Sequence, residues 1–297
     1  MRTLLTFLYL LTAVTLYSRD RVDEIRERLF DMNGSAVLVA SHRGDWRNFP
    51  ENSIEALNSA IEMGVDIVEL DIQRTGDGHL ILMHDETLDR TSTGKGAIAD
   101  TTLAYIRTLK LRNGCGIRTS QRVPTLREAL IAAKGKVLLN LDKADRYFDD
   151  VYALLKETGT TGQIVMKGSK KPADVKSQFG KFLEEVIYMP IVNLDKDNAM
   201  AEIGEFDANM KPAAYELLFR KDSNVLPLQL AKYLDGKSLI WYNTLWDTMA
   251  GGHDDDASLI DVNNGWGYLI DRLGARIIQT DRPAMLIDYL RSRKLHE

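Results

Sequence analysis

Nine short strand-like runs recur along this chain, and amphipathic segments separate several of them. The runs are Ala36 to Ala40, Ile67 to Ile72, Leu80 to Met83, Lys136 to Leu141, Gln163 to Met166, Val186 to Val192, Ala214 to Phe219, Ser238 to Tyr242 and Arg276 to Gln279. Such alternation is the signature of a parallel sheet wrapped by helices. The intervening segments carry their own signals. Ile54 to Met63 places Ile54, Leu57, Ala60 and Ile61 three and four apart and stops at Gly64, as a helix does. Thr125 to Ala133 opens with a capping threonine and Glu128 three residues on, a capping box.

A chain of 297 residues with 44% hydrophobic content is long enough for one large core. We expect residues 19–297 to form one α/β barrel domain, since such barrels run to roughly 250 residues as a unit. Nine runs are one more than a closed eight-stranded barrel uses, so one of them is expected to be a misreading. The second and third runs are joined only by Arg74 to His79, whose TGDG suits a tight turn. A parallel crossover takes about a dozen residues or more, so the barrel is expected to be irregular there. Residues 86–124 are too long for a simple connection and read as a small insertion after the third strand, at the barrel mouth.

The formal charge of -5 and the lack of a long basic run exclude a grip on nucleic acid through phosphate neutralisation. Cys115 is the only cysteine, so no intrachain disulfide forms. Leu4 to Tyr17 is apolar and uncharged, close to the length of a signal-peptide core and short for a bilayer span. Residues 1–18 therefore read as an export signal, with an uncleaved anchor as the alternative. The mature domain is expected to be periplasmic or secreted, without stable membrane insertion.

The chemistry is concentrated between Ser41 and Gly96, where HRGDW, PENS, ELDIQ and MHDETLDRTSTGKG follow one another. His42 and His84 supply imidazoles that can give or take a proton. Arg43 offers a planar cation for phosphate oxygens. Glu69 and Asp71 stand two apart in a strand-like run and share a face, as joint ligation of a hard cation demands. Active sites of parallel barrels lie at the C-terminal ends of the strands. Those ends hold His42 and Arg43, then Glu69 and Asp71, then His84 and Asp85, then Asp142 and Lys143, and finally Thr280, Asp281 and Pro283.

HRG, PENS, ELD and HD, with a terminal TDRP, resemble the glycerophosphodiester phosphodiesterase family through nearly the whole mature chain. The resemblance implies a distorted TIM (β/α)8 barrel that holds one divalent cation and cleaves glycerophosphodiesters to sn-glycerol 3-phosphate and an alcohol. It implies general acid and base roles for His42 and His84 and metal ligation by Glu69, Asp71 and Asp142. It also implies phosphate contact by Arg43, with Glu51 of PENS close to the metal or the first histidine. Carboxylate ligands favour Mg²⁺ or Ca²⁺ over softer ions. The attacking oxygen is left open between water and the substrate's own 2-hydroxyl.

The pattern departs from the family at one place. An acid, a spacer and a lysine are usual there, whereas Lys143 directly follows Asp142 and Ala144 takes the lysine position. Neighbours on a strand face opposite ways. Lys143 reaches inward only if the strand has ended, and Lys167 after the next strand is the other candidate for the phosphate charge. Trp241 ends a late strand and is assigned either to the substrate surface or to core packing. Asp85 is expected to orient a histidine or a loop, and Asp66 to cap or turn. Thr280 and Asp281 are expected to fix the last loop structurally. His253 with Asp254 to Asp256 reads as a solvated loop, because consecutive residues cannot all converge on a metal. Two other readings stand beside the main one: a phospholipase C or D type enzyme acting on intact lipid, and a glycerophosphate-binding protein without turnover.

Overall fold

The computed structural model describes residues 19–297. The expected export signal lies outside the described residues. All nine runs are strands: β1 Leu38–Ser41, β2 Ile67–Arg74, β3 Leu80–Leu82, β4 Leu138–Asp142, β5 Ile164–Gly168, β6 Ile187–Asn193, β7 Ala214–Leu218, β8 Leu239–Asn243 and β9 Ala275–Thr280. Eleven α-helices are present among the described residues. They are α1 Arg21–Phe30, α2 Ile54–Met63, α3 Leu103–Ile106, α4 Leu126–Ala133, α5 Phe148–Thr158, α6 Pro172–Phe179, α7 Ala199–Asn209, α8 Leu226–Tyr233, α9 Asp255–Ile260, α10 Trp266–Asp271 and α11 Pro283–Ser292.

Eight strands pair in parallel in the order β1-β9-β8-β7-β6-β5-β4-β2, and β1 pairs with β2 to close the ring. The fold is a TIM barrel. The extra strand is real, so the expected misreading is corrected: β3 stands outside the barrel, antiparallel to β2. The reason lies in strand length. Asp71 of β2 is level with Asp142, the last residue of β4, so Ile72 to Arg74 overshoot the rim. The TGDG turn then folds the chain back. The N–H of Met83 donates to the carbonyl of Asp71 at 3.0 Å, which returns the following residue, His84, to the height of the acids.

Local signals account for the helices that frame this rim. The Ser53 hydroxyl accepts the N–H of Ala56 at 3.0 Å to start α2, and Gly64 ends it at φ 93°. Thr125 and Glu128 form the expected capping box at α4. Between β3 and α4, Leu88, Ile98, Ile106, Leu109, Leu111 and Val123 pack with Ile81 and Met83 as a small separate apolar cluster.

The inward faces of the strands change character with height. Leu38 and Ala40, Ile67, Leu138, Val165, Met189, Ala214, Leu239, Trp241 and Ile277 form an apolar lower layer. Val22, Ile25 and Leu29 of α1 cover it from below, each burial stabilising by roughly 1.5–3 kcal/mol relative to exposure. Two residues further along the same strands the inward positions become polar: Glu69 and then Asp71, Asn140 and then Asp142, Lys167, Glu216, Asn243 and Gln279. The period of two in a strand makes this switch possible without any change of register. The apolar layer is the floor of the site.

Candidate active site

Glu69, Asp71 and Asp142 each offer a carboxylate oxygen within 4.8 Å of the others. The strand register is the cause, because Glu69 and Asp71 lie two apart on β2 and Asp71 pairs with Asp142 across the ladder. Glu69 and Asp71 are buried and Asp142 is half-buried. Burial, with Asp71 and Asp142 close by, pushes the Glu69 carboxyl well above its ordinary range, against the pull of Lys167. Burial works in the same direction on Asp71, but the Lys143 ammonium and Arg43 guanidinium outweigh it and hold that group low. A hard divalent cation fits this donor set, since it would relieve the repulsion among three converging carboxylates.

The neighbours of the acids are fixed by local backbone geometry. Arg43 has φ 51°, and its N–H donates to Oε2 of Glu69 at 2.9 Å. Its guanidinium donates to Glu51 Oε1 at 3.0 Å and lies 3.6 Å from Asp71. Asn52, at φ 58°, binds Asp71 twice: its amide donates to Oδ2 and its carbonyl oxygen accepts the Asp71 N–H, both at 2.9 Å. Glu51 also receives Arg90 through two bonds of 2.7 and 2.8 Å.

Both candidate lysines face inward. β4 ends at Asp142, and Lys143 then adopts φ 63°, so the alternation that would send it outward no longer applies. Its ammonium donates to Asp71 Oδ1 and to the His84 carbonyl, each at 2.8 Å. Lys167 lies 3.6 Å from Asp142 and 3.4 Å from Glu216. Burial would lower its ammonium, yet Glu216, Asp142 and Glu69 together raise it. It is a buried cation that balances the acids.

Each histidine rests on an aspartate. Nδ1 of His42 is 2.7 Å from Asp281 Oδ1, and Nδ1 of His84 is 2.7 Å from Asp85 Oδ1. The side chains retain 12% and 39% exposure, enough for a ligand to reach both. The Arg90 guanidinium, gripping Asp85 at 2.8 and 2.9 Å, holds that carboxyl well below the usual range against the cost of burial. Burial would raise Asp281, but hydrogen bonds from His42 and Trp46 outweigh it. Asp281 is therefore more than the loop fastener expected from the sequence.

Three further expectations are corrected. Trp241 is fully buried in the floor, its indole N–H donating to Asn243 at 2.6 Å, so it packs beneath the site and does not face a substrate. Asn243 in turn donates to Glu216 at 2.9 Å. His253 and Asp255 are buried, not solvated. His253 stacks on Tyr268 with ring centroids 3.9 Å apart, and Asp254 caps α9. Asp66 accepts the Val39 N–H at 2.8 Å and binds His296, which makes it an anchor at the barrel floor instead of a cap.

Asp255 was read only as part of a solvated loop, and Asn52, Glu216 and Arg90 were not singled out in the sequence. Asn52 and Arg90 lay inside motifs that were, beside Glu51 and after His84. Glu216 carried one available signal, an acid at an inward position of an otherwise apolar strand.

Fold and site together define a TIM barrel with a cluster of three converging carboxylates at its C-terminal mouth. Residues 42–170 match the family model described as the glycerophosphoryl diester phosphodiesterase family, and residues 188–290 match a domain of unknown function. The chain is thus similar to the glycerophosphoryl diester phosphodiesterase family over residues 42–170. It is 49% identical over 93 residues to a glycerophosphodiester phosphodiesterase of Caldanaerobacter subterraneus, covering 31% of this chain and 38% of that protein. It is 42% identical over 97 residues to human glycerophosphodiester phosphodiesterase 1, covering 32% and 29%. The matches thus span about a third of the length of these curated relatives. Among solved structures, a glycerophosphoryl diester phosphodiesterase from Parabacteroides distasonis superposes with a TM-score of 0.74 at 22% identity, covering 92% of each chain. An Oleispira antarctica phosphodiesterase in complex with the product sn-glycerol-3-phosphate superposes at 0.63 and 18% identity, covering 86% of this chain and 97% of that one.

Proposed function

We propose that this protein hydrolyses glycerophosphodiesters to sn-glycerol 3-phosphate and an alcohol, with one divalent cation, Mg²⁺ or Ca²⁺, as cofactor. The observation that carries the reading is the convergence of Glu69, Asp71 and Asp142 within 4.8 Å beside two partly exposed histidines, each seated on a carboxylate. The product bound by the Oleispira phosphodiesterase is the one expected here.

Glu69, Asp71 and Asp142 would hold the cation, which when bound supplies Lewis-acid stabilisation of negative charge on the phosphoryl oxygens. Arg43 and Lys143 border the same acids and present cationic donors to a phosphate, with Lys167 behind them balancing the buried charge and Glu51 aligning Arg43. Proton transfer falls to the imidazoles. Arginine only donates hydrogen bonds, so the contact of 3.1 Å from Arg43 Nε to His42 Nε2 marks that nitrogen as the unprotonated one, whose lone pair becomes available when Arg43 turns to the phosphate. That suits His42 to take the proton from the attacking oxygen. His84, against an Asp85 held ionised by Arg90, is suited to carry the proton given to the departing alkoxide. Each transfer is worth on the order of 10²- to 10⁴-fold.

Residues 19–297 act in this reading as one catalytic domain, with export directed by the apolar run Leu4 to Tyr17. Among the described residues no helix is long and apolar enough to cross a membrane. The test is release of glycerol 3-phosphate from glycerophosphocholine and glycerophosphoethanolamine, with and without EDTA. Turnover should vanish in chelator and return with added Mg²⁺ or Ca²⁺, and His42→Ala and His84→Ala should fold but retain little activity. Undiminished turnover in chelator would remove the cation from the reaction.

A further inference from the structure

We propose that Asp255 is a positioning residue for His42, acting at one remove by holding the backbone of Asp281. The inference rests on the reading of His42 as a proton-transfer group. Asp255 belongs to the HDDD run after β8, which the proposed reaction leaves without a task.

Asp255 is 2% exposed. Its Oδ1 accepts from the Thr244 hydroxyl at 2.6 Å, the Thr280 hydroxyl at 2.7 Å and the Trp266 indole N–H at 3.0 Å. Its Oδ2 accepts the backbone N–H of Asp281 at 2.7 Å. The carboxylate is thus pinned by the loop after β8, the end of β9 and the start of α10, and its free oxygen grips the residue that seats His42. Asp281 Oδ1 then takes the His42 ring at 2.7 Å and the Trp46 indole N–H at 2.6 Å. Since Arg43 occupies Nε2 as a donor, the Asp281 contact is what keeps the hydrogen of a neutral His42 on Nδ1.

The arrangement requires an aspartate. Three donors meet one oxygen and a fourth meets the other, and only a carboxylate accepts at both ends. In Asp255→Asn the oxygen would stay with the hydroxyls and the indole, and the amide NH₂ would then confront the Asp281 N–H. That variant loosens Asp281 while leaving the other three bonds in place. Misplacement transmitted from outside a site can cost on the order of 10²-fold in rate.

The experiment compares full-length wild type, Asp255→Asn and the control Asp256→Asn, whose side chain is exposed and pairs only with Arg282. ¹⁵N spectra of histidine-labelled protein are recorded where the imidazoles are neutral, with the His42 signals identified by their loss in His42→Gln. Wild type and Asp256→Asn should show His42 as the Nδ1–H tautomer alone. Asp255→Asn should show a mixture of tautomers, with kcat lowered roughly ten- to a hundredfold and KM within about twofold. A folded Asp255→Asn with the pure Nδ1–H form and unchanged kcat overturns the proposal. Should that variant fail to fold, Trp266→Phe, which removes one donor from Oδ1, should show the same mixture at smaller amplitude; the pure form there overturns the proposal equally. The tautomer signal needs no turnover. A wild type inactive on glycerophosphodiesters, with a His42 tautomer that Asp255→Asn scrambles, would refute the assigned substrate and leave this inference standing.

Discussion

The ammonium of Lys143 donates to Oδ1 of Asp71 at 2.8 Å, although its chain neighbour Asp142 points into the same cluster. A left-handed backbone conformation at Lys143, φ 63°, allows two consecutive side chains to share one cavity. Lys143→Met keeps much of the volume and removes the charge, leaving a buried Asp71 with one counter-charge fewer. Truncating one member of such a pair costs about 2 kcal/mol at the low end of the usual range, which suits a lysine that is still partly exposed. We expect that loss in urea denaturation and a fall in kcat/KM on the order of 100-fold, equivalent to roughly 2.7 kcal/mol of transition-state stabilisation. Initial rates on glycerophosphoethanolamine measure it.

Gly44 governs the other side of the cluster. It has φ +72°, and a Cβ there would stand 2.8 Å from the carbonyl carbon of Ala56 and 2.9 Å from its oxygen. Both atoms belong to the backbone of α2, which cannot swing aside as a side chain would. Gly44→Ala adds the left-handed penalty of about 1–2 kcal/mol to this collision, so a destabilisation of at least about 2 kcal/mol is expected. The Arg43 N–H would also leave Glu69, and activity should fall further than stability alone explains. Paired denaturation curves and rates at a temperature where the variant remains folded separate the two effects.

His296 supplies a pH dependence far from the chemistry. Its side chain is 2% exposed and Nε2 lies 2.9 Å from Asp66 at the barrel floor. Burial would lower the imidazole, but the Asp66 carboxylate outweighs it and the folded-state value is raised above the ordinary one near 6.5. The folded protein therefore binds this proton more tightly than the unfolded chain does. The resulting stabilisation is complete below about pH 6.5 and is lost as pH rises through the folded value. Urea midpoints of wild type should decline over that window relative to His296→Gln, which carries no titrating group there. Parallel curves for the two proteins would contradict the assignment.

Much of the architecture was legible because strand periodicity and capping are local properties. Glu69 and Asp71 share a face by spacing alone, and Ile54 to Gly64 announces both ends of its helix. What was missed depends on contacts across the barrel or with distant chain. Trp241 and Glu216 are register partners on adjacent strands, yet one packs into the apolar floor while the other meets Lys167 of β5, a difference set by what each side chain faces across the barrel. Lys143 turns inward through a single φ angle, which spacing does not encode. His42 and Asp281 are 239 residues apart, and Asp255 reaches His42 only through that second residue. The extra strand confused the count because β3 extends β2 beyond the rim, a matter of strand length instead of pattern.

The central claim is that Glu69, Asp71 and Asp142 form one cation site. Calorimetric titration of Mg²⁺ and of Ca²⁺ into chelator-treated protein tests it without reference to substrate. Wild type should bind a single equivalent of at least one of these ions, and Glu69→Gln, Asp71→Asn and Asp142→Asn should each weaken that binding by about tenfold or more, as loss of a hard oxygen ligand predicts. Binding of undiminished affinity in all three variants, or no binding by a wild type that still turns over substrate in EDTA, would contradict it.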